Sequence, residues 1–401
     1  MAHHQKGFVD SPMLDAAVSG RGFKLAIIVG AVGLAATAAG LAMGETKQFF
    51  FSWLTAFMLC TTISVGALFW IIVQHATRSI WSTGLRRTAE NIAMNLPLMA
   101  LFFIPVALGA HTLFHWTHAD AVANDPLLKW KQGYLNEPFF FIRAVAFFAI
   151  WSGLAWFFRK TSLAQDASGD PALTYKMRKW APVGIIGVGL SITFAGFDWL
   201  MSLDPHWFST MFGVWTFAGS LVGFFATQNL FALWLSKPGR YEHTLTQGVR
   251  HDAAKLQFAF TVFWAYISFS QYFLIWYANI PEETAWYQHR LQGGWENVGR
   301  LIVIGHFILP FWVLISRHMK RNRTVLGLAA GWMVFMHFVD IYYVVMPTLH
   351  GHGPHYHWMD LTAALGIGGI WLAFIMRRFQ KAPGVAHRDP ALLASMEYDN
   401  G

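Results

Sequence analysis

Long apolar runs constrain this chain more than any other feature. Ten segments, near 24–43, 49–74, 92–112, 138–158, 181–201, 208–235, 256–279, 298–316, 324–346 and 359–376, approach the length of about 20 residues that a helix needs to cross a bilayer core. Charged residues make up only 12% of the chain, roughly half the usual share of a soluble protein. Most of the sequence is therefore built to avoid water. The expected fold is an all-α polytopic membrane protein of ten transmembrane helices. Its membrane domain covers 24–376, with an N-terminal tail over 1–23 and a C-terminal tail over 377–401.

The basic residues orient those helices. Of the 29 Lys and Arg, 23 fall on the side that carries both chain ends, from Lys6, Arg21 and Lys24 at the start to Arg377, Arg378, Lys381 and Arg388 at the close. Lys47, Lys129, Lys131, Arg290 and Arg300 fall on the other side, and Arg143 lies inside the fourth span. Cytoplasmic loops collect Lys and Arg, so both termini are expected in the cytoplasm. The net charge of +8 reflects this asymmetry and does not point to nucleic acid. The first 23 residues are too long and too mixed for the basic region of a signal peptide, so the first helix is read as retained. Cys60 is the single cysteine, which excludes an iron–sulfur cluster or an intrachain disulfide, and no C-x-x-C-H haem motif is present. No metal ligand set is assigned.

Ionisable side chains within a bilayer usually face the bundle interior or a wet cavity. Asp340 lies ~9 Å inside the outer end of the ninth span and His337 ~14 Å inside it, one turn apart on one face. The two can share a proton or hold each other's orientation. His306 in the eighth span lies at comparable depth. Arg143, ~8 Å inside the fourth span, can snorkel to the outer interface or pair with Asp198. These residues read either as a proton or quinol-headgroup site in the outer half or as polar contacts that tie the bundle together.

On the inner side, Glu90 and Asp252 join Gln74, His75, Asn91, Asn95, Gln228, Asn229 and His251, and the middle of the seventh span supplies Tyr266 and Gln271. Together they form a candidate inner channel, or are helix-end and interhelical hydrogen bonds. His306 and His337 are the only pair at a depth suited to a b-type haem, but Asp340 beside His337 suits proton chemistry better. Pro97, Pro105 and Pro310 are read as ordinary prolines of membrane helices.

A pattern recurs at the outer ends of the fifth and ninth spans. Asp198 and Asp204 precede His206 and Trp207, and Asp340 precedes Pro354, His355, His357 and Trp358. Each reads as an Asp, a Pro-His turn, a Trp and a new helix. Two related four-helix units, helices 2–5 and 6–9, with helices 1 and 10 on the periphery, account for this spacing. Asp204, His206 and Trp207 are candidate partner-docking residues, although Trp and His at headgroup depth explain them too.

The stretches "FDWLMSLDPHWFSTMFGVWTFAGS" (197–220) and "WAYISFSQYFLIWYANIPEETAWY" (264–287), with "HDAAKL" (251–256), resemble the F-type membrane subunits of alternative complex III. That complex is a bacterial quinol:cytochrome c oxidoreductase, and its subunits belong to the NrfD-like family, related to the membrane subunit of polysulfide reductase. The resemblance extends over the whole chain. It implies two four-helix bundles (helices 2–5 and 6–9) with two flanking helices, placed in the bacterial inner membrane. It also implies a respiratory chain in which this subunit holds no redox cofactor of its own and quinol is the ligand to consider. Iron–sulfur clusters and c-type haems are then expected in partners: a second NrfD-like subunit, an iron–sulfur subunit, c-type cytochromes and a terminal oxidase, with membrane lipids around them.

On that resemblance the chain offers a proton pathway or a quinol-facing surface through Asp340, His337, Arg143, Asp198, His306, Gln271, Tyr266, Glu90 and Asp252. Two readings compete with it. An independent secondary transporter also repeats helices and buries charge. A structural anchor without a pathway tolerates neutral isosteres at its buried acids.

Overall fold

The computed structural model describes residues 10–398; Lys6 and the last three residues of the C-terminal tail lie outside them. Among the described residues, ten helices are long and apolar enough to span a membrane. They are α1 (Ala16–Ala42), α2 (Thr46–Ala76), α3 (Thr83–Leu108), α4 (Glu137–Ser168), α5 (Ala172–Trp199), α6 (Phe212–Leu235), α7 (Gln247–Ala278), α8 (Trp295–Ile315), α9 (Arg323–Val345) and α10 (Trp358–Lys381). No strand occurs among the described residues.

Several helices outrun the apolar runs that announce them. α4 continues to Ser168 rather than ending at 158, and α7 begins at Gln247 rather than 256. Hydropathy marks only the lipid-thick middle of a helix. The extra turns carry Arg159, Asp166 and Asp252, all buried against neighbouring segments. Likewise α1 begins at Ala16, inside the expected tail, where the Asp15 carboxylate accepts from the Ala17 and Val18 N–H groups. The reverse holds before α6. Residues 208–211 are not helical, with a turn at Thr210 and Met211, and the helix starts only at Phe212.

α2 and α6 make the centre, each with 89% of its membrane-crossing stretch buried. Both are apolar on every side, as a helix surrounded by others must be. They approach closely at Gly66, where a Cβ would sit 2.4 Å from the Ser220 carbonyl oxygen. α2 also packs against α3, α5, α9 and α10, and α6 against α5, α7 and α9. α1 packs on α10 through small residues, and a Cβ on Gly33 would lie 2.5 Å from the Gly366 nitrogen. α3 bends at Met94–Asn95, just before Pro97. The Asn95 side chain steadies the bend by donating to the Trp371 carbonyl and accepting from Arg378 at 2.6 Å.

The described chain ends meet on one side. Asp10 accepts from Thr244, the Gly384 N–H donates to the Pro12 carbonyl, and Asp389 pairs with Arg86. On the opposite side, the one expected from the basic residues to face outward, a short helix, Pro281–Arg290, packs with the loops. There Trp207 donates to the Glu283 carbonyl and Lys131 to the Pro205 carbonyl.

Candidate functional site

Pro310 shapes the centre of the site. It offers no N–H to the His306 carbonyl and crowds that carbonyl with its ring, so α8 cannot run through as a regular helix. Residues Val303–Ile308 instead form a π-helical stretch, in which the Leu309 N–H reaches the Ile304 carbonyl. The displaced Gly305 carbonyl accepts from Trp332 Nε1 of α9 at 2.7 Å. In this widened turn His306 is fully buried, facing α7 and α9. Its ring centroid lies 3.9 Å from that of Trp264, and its Nδ1 lies 3.9 Å from Asp340 Oδ2. Trp264 Nε1 donates to the same oxygen at 3.0 Å. The sequence reading gave Pro310 no role; it directs His306.

The expected His337–Asp340 pair is not joined by a hydrogen bond or an ion pair. His337 Nε2 meets Thr62 Oγ1 of α2 at 2.8 Å, and its ring lies against Gly223 of α6, where a Cβ would sit 2.6 Å from Cδ2. The two residues share a helix face, but α2 and α6 take one side chain while α7 and α8 take the other. Both ring nitrogens of His306 and the Nδ1 of His337 have no hydrogen-bond partner among the described residues. A buried carboxyl with one indole donor beside an imidazole with open nitrogens is a set of groups able to exchange a proton.

Asp340 stands at the floor of a cavity of about 990 Å³ between α7 and α8. Its walls are largely aromatic, with Trp215, Phe269, Tyr272, Trp286, Phe307 and Tyr343 among them. Polar groups are few. Gln271 accepts from Ser209 Oγ at 2.9 Å and donates to the Tyr287 hydroxyl at 3.1 Å, while Glu296 and Arg300 lie along the α8 wall. Tyr266, expected in an inner channel, lines this cavity instead and is 64% exposed, as are the neighbouring faces of Phe269, Val303 and Ile304 in similar degree. The cavity therefore opens sideways, between two helices, onto the apolar surface. An apolar pocket with a few convergent polar groups has the form of a small-molecule site.

Arg143 and Asp198 form a separate unit. Asp198 is fully buried, and Arg143 reaches both its oxygens, at 2.7 and 3.0 Å. The Tyr134 carbonyl takes a third N–H at 3.0 Å, and the rings of Tyr134 and Phe139 cover the guanidinium at 3.9 and 4.3 Å. Of the two expectations, pairing holds and snorkelling does not. The pair clasps α4 to α5 much as His306 and Asp340 face each other across α8 and α9, but with its hydrogen-bonding capacity already used.

Glu90 lies in a charged cluster on the side of the chain ends. Arg87 is 3.0 Å from Glu90 and 2.7 Å from Asp166, and Arg159 donates to Asn91. The C-terminal tail closes over this cluster, with His387 and the Arg388 N–H on Asp166 and Asp389 on Arg86. Asp252 pairs with Lys255 at 2.9 Å and accepts from the Tyr398 hydroxyl at 2.7 Å. No hydrogen bond joins Glu90 to Asp340, so the inner and outer groups stand as two clusters.

The outer turn divides its three candidates. Trp207 is only 2% exposed, stacked on Trp286 at 4.7 Å, and so is packed inward rather than offered to a partner. Asp204 lines an outer pocket of about 520 Å³ with His115, His206, His289, Arg290 and His352. His206 is exposed and lies 2.5 Å from Asp125, a hydrogen bond that holds the Asp125 carboxyl below its usual range.

Sequence reasoning missed several participants. Trp264 stood two residues from Tyr266 within a quoted motif, yet nothing in its spacing marked it as the partner of Asp340. Thr62 is one hydroxyl in an apolar run. Arg290 had been noted only as an outer charge, Trp286 and Tyr287 entered only at the end of a quoted motif, and Tyr343 was not singled out. The fold and the buried site define a polytopic helical membrane protein with a lateral cavity. No protein-family model matches the chain, and no curated protein matches it.

Proposed function

We propose that this chain is an integral membrane subunit of a quinol:cytochrome c oxidoreductase of the alternative complex III type, in a bacterial cytoplasmic membrane with both termini cytoplasmic. On this reading the lateral cavity is its quinol-facing site, and helices α2–α5 and α6–α9 are two bundles flanked by α1 and α10. One observation carries the proposal. A buried acid, Asp340, lies at the floor of a laterally open, aromatic-lined cavity, with His306 behind it. The grouping is supported by packing of α2 on α3 and α5, α4 on α5, α6 on α7 and α9, and α8 on α7 and α9. The orientation is supported by the 23 basic residues on the side of the chain ends.

The Asp340 carboxylate, one oxygen of which is held by Trp264, takes one hydroxyl proton from a hydroquinone at the cavity floor, passes it to the open Nδ1 of His306 and then takes the second, so two protons leave the ligand with its two electrons. The electrons leave through the iron–sulfur and c-haem centres expected in partner subunits. The chain's own part is to admit the ligand from the lipid side, orient its headgroup and take both protons.

Purification of the tagged chain from its native membrane is expected to bring iron–sulfur and c-haem proteins with it. Isolation as a lone, cofactor-free permease overturns membership of the complex. In the purified complex, Asp340→Asn keeps shape and removes the titration, so quinol:cytochrome c turnover is expected to fall ~100-fold or more with composition unchanged. Unimpaired turnover overturns the role given to Asp340.

A further inference from the structure

The lateral cavity and the outer pocket are lined by the same two chain segments, which form a wall between them. Trp286, Tyr287, Tyr343 and Val344 face the cavity, whereas His289, Arg290, Pro347 and Thr348, from the same two segments, face the pocket. The Arg290 guanidinium sits in that wall, 3% exposed. It donates to the carbonyls of Trp286, Tyr343 and Val344 at 3.1, 3.2 and 2.9 Å and lies 3.6 Å over the Trp286 ring. Tyr343 locks the arrangement by donating its hydroxyl to the Arg290 carbonyl at 3.2 Å.

The chemistry of these contacts is unusual for a buried cation. Three backbone carbonyls hold the group in place, and Arg290 forms no ion pair among the described residues, so its unit charge is fixed but not cancelled by a direct partner. Its field reaches both spaces: Tyr343 and Tyr287 on the cavity side and Asp204 on the pocket side interact with it electrostatically. Burial pulls the guanidinium down to about 10, which leaves it charged at neutral pH.

We propose that Arg290 is the specificity-determining charge of the lateral cavity, a fixed cation in the shared wall that favours anionic over cationic species on the cavity side and keeps hydronium from crossing out of the outer pocket. A fixed arginine excludes cations and protons from narrow passages by the same electrostatic barrier. The ligand it favours is one that becomes an oxyanion on losing a proton. The inference builds on the reading of the cavity as a ligand site, but its test needs no ligand.

The other charges around the wall are Asp340, Glu296 and Arg300 in the cavity and Asp204, His115, His206, His289 and His352 in the pocket. None of these residues is itself altered when Arg290 alone is replaced. Cys60, the single native cysteine, is buried, so a thiol introduced by Ala265→Cys on the cavity wall can be followed in this chain by mass. Membranes holding the intact complex are treated with a cationic trimethylammonium thiosulfonate or an anionic sulfonate thiosulfonate, each rate being normalised to a free thiol.

Adding Arg290→Met to Ala265→Cys is expected to lower the anionic-to-cationic rate ratio ~10-fold, as a potential of about one thermal unit acting on charges of opposite sign requires. Arg290→Lys is expected to keep the ratio. If Arg290→Met does not assemble, Arg290→Gln, whose amide nitrogen falls near the Nε position that meets the Tyr343 carbonyl, carries the same comparison. An unchanged ratio, including one in which both rates rise together because the wall has loosened, overturns the proposal. That failure leaves the quinol reading standing, since turnover of the Asp340→Asn complex decides it separately.

Discussion

Replacing Arg143 by Met tests whether the first half of the molecule holds a closed ion pair. The substitution keeps most of the side-chain volume and deletes the charge that meets both oxygens of Asp198. Asp198 has no exposed surface, and Arg143 is its only cationic partner among the described residues, so the carboxylate is left buried and uncompensated. Breaking one side of such a pair costs about 3–5 kcal/mol. At roughly 2 cal/mol/K of unfolding entropy per residue, a chain of this length would lose about 4–6 °C in Tm. Replacing both partners with apolar residues, Arg143→Met with Asp198→Leu, removes the stranded charge and is expected to recover most of that loss. Thermal unfolding of the purified complex, followed by the solubility of this chain after heating, supplies the measurement. A single variant within about 1 °C of the parent, or a double variant no better than the single, would refute the reasoning.

Two further outcomes follow from packing and charge. Gly33→Ala on α1 drives a Cβ onto the backbone of Gly366, which cannot move aside as a flexible side chain would, whereas Gly189→Ala meets nothing within 4 Å. The first is expected to destabilise the α1–α10 contact by about 1–3 kcal/mol and the second to be neutral, with equal Tm values for the two counting against the close approach. A reporter fused after Arg378 is expected to read as cytoplasmic, and one placed within 113–137 as periplasmic. The reverse result at either site would overturn the orientation read from the basic residues.

The ten apolar runs by themselves determined the number of membrane helices, their alternation and the all-α class, because a chain crossing lipid must bond its own backbone and cannot hide twenty apolar residues elsewhere. They also exposed Asp340, His306, His337, Arg143 and Asp198, since an ionisable group stands out against an apolar background. What the runs left undetermined was which helix faces lipid. Lipid tails and a protein core are equally apolar, so α1 and α2 are equally apolar although 28% of the membrane-crossing stretch of one and 89% of the other is buried.

Partners were likewise decided by the tertiary structure. Asp340 found Trp264 and His306 because α8 widens before Pro310, and His337 turned to Thr62 because Gly223 leaves room for its ring. Trp207 folded inward because Trp286, on a helix about eighty residues further along the chain, offered a face to stack on. Such contacts join residues far apart in sequence and depend on distances of a few ångströms, which local spacing along a helix does not encode.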